Sequence, residues 1–166
     1  IAEQFIGPHI ALFASHYICK PPRDGQAVLW HQDGSYWPLD PMEVVTLWLA
    51  VSDASPDNGC MRVIPGTQEM DLQELQQRND IPNVLNSGMD DAIVDDKRAV
   101  DCVMAPGDVS VHHPNVIHGS NPNTSGRWRR GLTIRYIPTT TRIGVDHPGP
   151  HPSAFHLRGE APAGIN

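Results

Sequence analysis

No apolar run in the 166 residues approaches ~18 residues, which excludes a membrane-spanning helix. The N-terminus has no basic start followed by a long apolar stretch, so no signal peptide is visible. Cysteine is scarce. Cys19, Cys60 and Cys102 are odd in number, widely spaced and form no CxxC pair. That pattern excludes a disulfide frame and a zinc ribbon, and it points to reduced thiols and a cytoplasmic setting. Positive charge is scarce as well. Twelve Lys and Arg against 19 Asp and Glu give a net charge of −7, which argues against a general nucleic-acid binder. No internal repeat or low-complexity run is present. Position 1 is Ile rather than Met, the mark of a trimmed, processed or partial chain.

What is abundant is Gly (14) and Pro (16), above their ordinary share. This favours short elements joined by turns and disfavours a helical bundle. The length fits one domain. Strand patterns run over Ile10–Lys20, Gln26–Asp33, Glu43–Asp53, Cys60–Ile64, Val100–Met104, Val109–His113 and Arg130–Ile137. The Pro56–Gly59 stretch is a turn signal of the Asn-Gly type. Met70–Arg78 reads as a short helix inside an otherwise irregular, acidic insertion over 67–98, and the tail over 139–166 reads as loop. Short strands separated by turns, with no helices between them, predict an antiparallel sandwich or barrel rather than a parallel doubly wound sheet.

Three features carry chemistry. His31-Gln32-Asp33 closes a predicted strand, where residues i and i+2 share a face, so an imidazole and a carboxylate can meet at one point. His118 lies in Val116-Ile117-His118-Gly119-Ser120 after a His-Pro turn. Two His and one carboxylate on one face of a metal leave three positions open, the arrangement of non-haem Fe(II) oxygenases. Arg129 follows 11 residues after His118. A guanidinium fork near such a metal suits a co-substrate that carries a carboxylate. His112 and His113 compete with His118 for the metal. Arg127, Arg130 and Arg135 compete with Arg129. Trp30, Tyr36 and Trp37 flank the first motif, either as pocket walls or as sandwich packing.

With Lys20-Pro21-Pro22, Trp30-His31-Gln32-Asp33, Trp48, Asp57-Asn58-Gly59-Cys60, Val63-Ile64-Pro65-Gly66-Thr67, His118-Gly119-Ser120 and Arg129, the chain closely resembles the phytanoyl-CoA dioxygenase family of Fe(II)/2-oxoglutarate oxygenases. The match runs over about residues 16–138. The resemblance implies an all-β, cupin-like double-stranded β-helix, or jelly roll, with few short helices. It implies His31, Asp33 and His118 as Fe(II) ligands. Arg129 and Ser120 are implied partners of the distal carboxylate of 2-oxoglutarate, with Trp48 and His16 also in the co-substrate pocket. The Gly-Ser context and the family's spacing favour His118 and Arg129 over their competitors.

The implied reaction uses O2 to oxidise, most simply to hydroxylate, a C–H bond of a small or medium-sized metabolite, and it releases succinate and CO2. Asp33 disfavours the related halogenation, which needs a small residue there. Family members usually carry an N-terminal helical region that this stretch of sequence lacks. The competing reading is a non-catalytic, metal-stabilised jelly-roll module that binds a ligand.

Overall fold

Apolar and β-branched residues fill the three longest strand patterns, and those segments form the backbone of the fold. The structure, a computed structural model, describes residues 1–144 and 154–165. A one-turn helix α1 (Glu3–Ile6) precedes thirteen strands among the described residues. They are β1 (Ile10–Lys20), β2 (Val28–His31), β3 (Leu39–Asp40), β4 (Val45–Ala50), β5 (Met61–Val63), β6 (Gln76–Gln77) and β7 (Ser87–Gly88). Then come β8 (Val100–Asp101), β9 (Val109–His112), β10 (His118–Ser120), β11 (Arg129–Pro138), β12 (Arg142–Ile143) and β13 (Phe155–Arg158). No helix among the described residues is long and apolar enough to cross a membrane.

Two antiparallel sheets face each other in a jelly roll. The larger runs β13-β1-β11-β4-β9 and the smaller β2-β10-β5-β8. Register fixes which residues share the inner face, because directly paired residues point the same way. Along β11 the odd positions Arg129, Gly131, Thr133, Arg135 and Ile137 are buried, while the even ones from Arg130 to Tyr136 are less so. The buried row is therefore largely polar where an ordinary sandwich would be apolar. His16 pairs with Thr133, which pairs with Trp48. Arg135 pairs with Thr46, which pairs with His112. Apolar packing lies around this polar interior in three separate clusters, built on Phe13 and Ile137, on Trp48 and Met61, and on Ile64 and Ile117.

Gly131 is where the inner face needs the smallest residue. A Cβ there would stand 2.1 Å from Cζ2 of Trp48, so the indole can lie against the backbone of β11 only because no side chain intervenes. The Pro56–Asn58 turn closes through Gly59 at φ 77°, a left-handed conformation that favours glycine.

Three expectations need correction. The strand over Gln26–Asp33 stops at His31, and Asp33 opens a 3-10 turn, Asp33–Tyr36. Met70–Arg78 is not helical: a 3-10 turn at Thr67–Glu69 leads into extended chain and the small β6/β7 ladder. Distant amides take the hydrogen bonds that a helix would have made. Asn115 donates to the Met70 carbonyl, Gln32 donates to that of Asp71, and the Gln73 amide donates to Gln32. The tail is not all loop. β12 pairs with β3, and β13 takes the free edge of β1, leaving that edge covered. Residues 145–153 and 166 of the expected tail lie outside the described residues. The segment 67–98 holds 3-10 turns at Thr67–Glu69, Asp91–Ile93 and Asp96–Arg98 and the two-residue β6/β7 ladder.

Candidate metal centre

His31 is the last residue of β2 and His118 the first of β10, and the two are direct cross-strand partners. Their ring centroids stand 4.1 Å apart. Each ring is fixed by the backbone two residues before it. Nδ1 of His31 donates to the Leu29 carbonyl at 2.8 Å, and Nδ1 of His118 to that of Val116 at 3.0 Å. A carbonyl can only accept, so each Nδ1 holds the proton and each Nε2 keeps a free lone pair. Burial, reinforced by His31, holds the pKa of His118 well below the ordinary imidazole value, which keeps it neutral.

The 3-10 turn then brings Asp33 back beneath both rings. Its Oδ1 lies 3.7 Å from Nε2 of His31 and 4.0 Å from Nε2 of His118. These distances exceed hydrogen-bonding range. Ligand atoms of the three residues all lie within 4.8 Å of one another, and all three residues are buried. Two Nε2 lone pairs and one carboxylate oxygen make a donor set that fits a divalent transition metal.

The other carboxylate oxygen is held by Arg135, whose Nη2 donates to Oδ2 at 3.1 Å. Burial alone would push the Asp33 carboxyl up. The facing His112 and His31 imidazoles, then His118 and Arg135, outweigh it and hold the group well below the usual carboxylate range. Arg135 also donates to His16 Nδ1 at 2.9 Å and to Thr133 Oγ1 at 3.0 Å, and it stacks over Trp37 at 5.0 Å. His16 is therefore placed against the guanidinium that orients Asp33.

Gln32, between the two motif residues, is fully buried on the other side, where it donates to the Asn115 carbonyl. Thr67 of the Val63–Thr67 motif donates to the Ile64 carbonyl and accepts from the Ile117 amide, which ties down the entry to His118. Of the competing histidines, His113 is exposed and accepts from the Asn115 amide. His112 is different. It is buried, its Nε2 stands 3.8 Å from Asp33 Oδ2, and neither ring nitrogen has a hydrogen-bond partner among the described residues.

The three residues open on a cavity of about 450 Å³. Arg129, Ser120, Trp48 and His16 line it too, so every residue expected at the site borders one space. Arg129, at the start of β11, is 2% exposed. It donates from Nε to the Gly59 carbonyl and from Nη1 to that of Ile18, each at 3.1 Å. Its guanidinium also lies 5.5 Å from the Trp48 ring. The Asp57–Cys60 motif thus serves to present the Gly59 carbonyl to Arg129. Among the competing arginines, Arg127 pairs with Asp53 and Asp57 at the surface, and Arg130 stacks outward on Trp128. In the sequence alone Arg135 and His112 stand only as competitors, and Lys20 only as part of a family motif. Strand parity from Arg129 would have turned Arg135 inward.

A family model described as "Phytanoyl-CoA dioxygenase (PhyH)" matches residues 1–131. The chain belongs to the phytanoyl-CoA dioxygenase family. It is 34% identical over 140 residues to "Phytanoyl-CoA dioxygenase, peroxisomal" of Bos taurus, covering 81% of this chain and 41% of that one. It is 31% identical over 140 residues to "Probable alpha-ketoglutarate-dependent hypophosphite dioxygenase" of Stutzerimonas stutzeri, covering 82% and 48%. Among solved structures, "non-heme monooxygenase; ThoJ apo" superimposes with a TM-score of 0.79 at 26% identity, covering 95% of this chain and 56% of that one. The chain thus spans about half the length of the family members it matches.

Proposed function

We propose that this chain carries the metal and co-substrate site of an Fe(II)- and 2-oxoglutarate-dependent dioxygenase, which oxidises a C–H bond of a small or medium-sized metabolite, in the simplest case to an alcohol, with release of succinate and CO2. One observation carries the reading: two Nε2 lone pairs and a carboxylate oxygen converge at one end of a cavity to which Arg129 also contributes. In this assignment His31, Asp33 and His118 hold the iron. When bound, the iron supplies O2 activation coupled to oxidative decarboxylation of the co-substrate.

The remaining chemistry belongs to the chain. The backbone-held Nδ1 protons of His31 and His118 fix the tautomer that ligation needs. Arg135 anchors Asp33 through Oδ2, with Oδ1 on the imidazole side. Arg129 and Ser120 receive the far carboxylate of 2-oxoglutarate, Trp48 forms the wall beside them, and His16 borders the same pocket through Arg135. The exposed aromatic and apolar lining residues Tyr17, Tyr36, Val84 and Leu85 mark the mouth. Val84 and Leu85 come from the 67–98 insertion, which assigns that segment a part in substrate choice. The relative named for hypophosphite and those named for phytanoyl-CoA differ widely in substrate, so the site defines the reaction class and the mouth the substrate.

The test is spectroscopic. Anaerobic addition of Fe(II) and then 2-oxoglutarate should produce a weak visible charge-transfer absorption, followed on admission of O2 by succinate. Metal binding with neither signal would favour the non-catalytic ligand-binding module.

A further inference from the structure

His112 ends β9 in direct register with Thr46 of β4. Its ring centroid lies 5.0 Å from that of His118, and the residue borders the cavity. Neither ring nitrogen has a hydrogen-bond partner among the described residues, and both nitrogens are buried. The hydroxyl of Thr46, a residue with no exposed surface, is unpartnered in the same way. A buried polar atom left unpaired costs stability, so three of them on two directly opposed residues call for a physical reason.

Three simple reasons fail. Packing alone would be better served by an apolar side chain of similar size, which buries no unpaired nitrogen. A fourth metal ligand does not fit the placement. The ligand atoms that all lie within 4.8 Å of one another belong to His31, Asp33 and His118, and the set does not include His112. A direct contact with a molecule in the cavity is blocked, because both nitrogens are covered.

What the ring does face is Asp33, whose two oxygens have different neighbours. Oδ1 stands 3.7 and 4.0 Å from the Nε2 atoms of His31 and His118. Oδ2 accepts from Arg135 Nη2 at 3.1 Å and stands 3.8 Å from Nε2 of His112. Shortening that last gap by about 0.9 Å brings it to an ordinary N–H···O length.

We propose that His112 is a positioning residue for the metal: in the loaded protein its Nε2–H donates to Oδ2 of Asp33, while the Thr46 hydroxyl donates to Nδ1 and holds the ring in that orientation. The inference rests on the assignment of His31, Asp33 and His118 as the metal ligands. Its consequence is the way Asp33 binds. With Arg135 and His112 both donating to Oδ2, only Oδ1 is left for the metal. A carboxylate that binds through one oxygen leaves open the positions that the reaction needs. Partners of this kind orient a ligand and tune the metal without touching it. The three unpaired atoms are then a cost of the empty protein, relieved when the site is filled.

The experiment is an anaerobic calorimetric titration with Fe(II), together with thermal melts of the metal-free protein, on wild type, His112→Leu, His112→Gln and Thr46→Val. His112→Leu removes both nitrogens and should weaken Fe(II) binding by about ten- to a hundredfold, as expected for losing an outer partner of a ligand. Its metal-free melt should be no lower than that of the wild type, because two unpaired nitrogens are gone. His112→Gln keeps an N–H donor in the place of Nε2 and should restore most of the affinity. Thr46→Val should cost less, about two- to tenfold, the worth of one neutral hydrogen bond. No Fe(II) binding by the wild type would overturn the metal assignment and this inference together. Wild-type affinity in His112→Leu would overturn the role of His112 alone. So would equal losses in His112→Leu and His112→Gln, or a lower metal-free melt in His112→Leu, either of which would make the ring a packing element. Wild-type affinity in Thr46→Val beside a loss in His112→Leu would overturn the part given to Thr46.

Discussion

The two ends of the cavity are built on opposite electrostatic plans. At the His31–Asp33–His118 end the protein supplies its own balance: Arg135 meets Asp33, and both imidazoles have their Nδ1 protons bound by backbone carbonyls. At the Lys20–Arg129 end it supplies cations, backbone carbonyls and the Ser120 hydroxyl, with no carboxylate paired to either cation among the described residues. The first end is finished as a charge system and lacks only an acceptor for its lone pairs. The second lacks an anion. One cavity that is electron-rich at one end and cationic at the other suits a ligand that chelates a metal with one terminus and carries a carboxylate at the other.

The largest effect should come from breaking the balanced end. Asp33→Ala removes a ligand oxygen and leaves Arg135 buried beside no carboxylate. Replacing an outer-shell partner of a metal ligand typically costs about 10–100-fold in metal affinity, so loss of a ligand should cost at least that. Stranding one member of a buried pair should also lower stability by about 3–5 kcal/mol. Calorimetric Fe(II) binding and a thermal melt on the same sample check both, and oxidation should be lost. Full Fe(II) affinity in the variant would remove Asp33 from the metal site.

A smaller and more selective effect should follow at the cationic end. Arg129→Met should raise the 2-oxoglutarate concentration needed for half-saturation by about ten- to a hundredfold while Fe(II) binding is unchanged. A parallel loss of Fe(II) affinity would mean that the two ends are not independent.

The two ends also differ in how far they were legible in the sequence. The metal residues stand in short motifs whose spacing carries the geometry, and the long strands β1, β4 and β11 follow from dense β-branched and aromatic patterning. Even there the local reason was incomplete, because Asp33 reaches the site from a 3-10 turn rather than along the strand. Lys20 gains its meaning from its cross-strand partner Arg129 and Arg135 from Asp33, both over a hundred positions away, and that placement is not written in any local window. The helix-like composition of Met70–Arg78 misleads for the same reason: it is outweighed by the side-chain amides of Gln32 and Asn115, which arrive from distant parts of the chain to satisfy its backbone.

The smallest effect should separate two arginines that sequence spacing alone cannot. Arg127 stands two residues before Arg129, yet it lies outside β11 with a side chain 52% exposed, bridging Asp53 and Asp57. Its neighbourhood does not depend on those bridges. The amides of Thr124 and Ser125 donate to the Asp57 carbonyl, and buried Asn123 donates to the carbonyls of Pro21 and Arg127. Exposed ion pairs contribute little and are screened by salt. Arg127→Ala should therefore leave Fe(II) binding, 2-oxoglutarate affinity and the melt within experimental error of wild type, at low and high salt alike. A loss of 2-oxoglutarate affinity comparable to that of Arg129→Met would show that the anion is drawn by the basic run as a whole. The contrast between a balanced end and a cationic end would then rest on Lys20 alone, because Arg129 would have no special claim to the carboxylate.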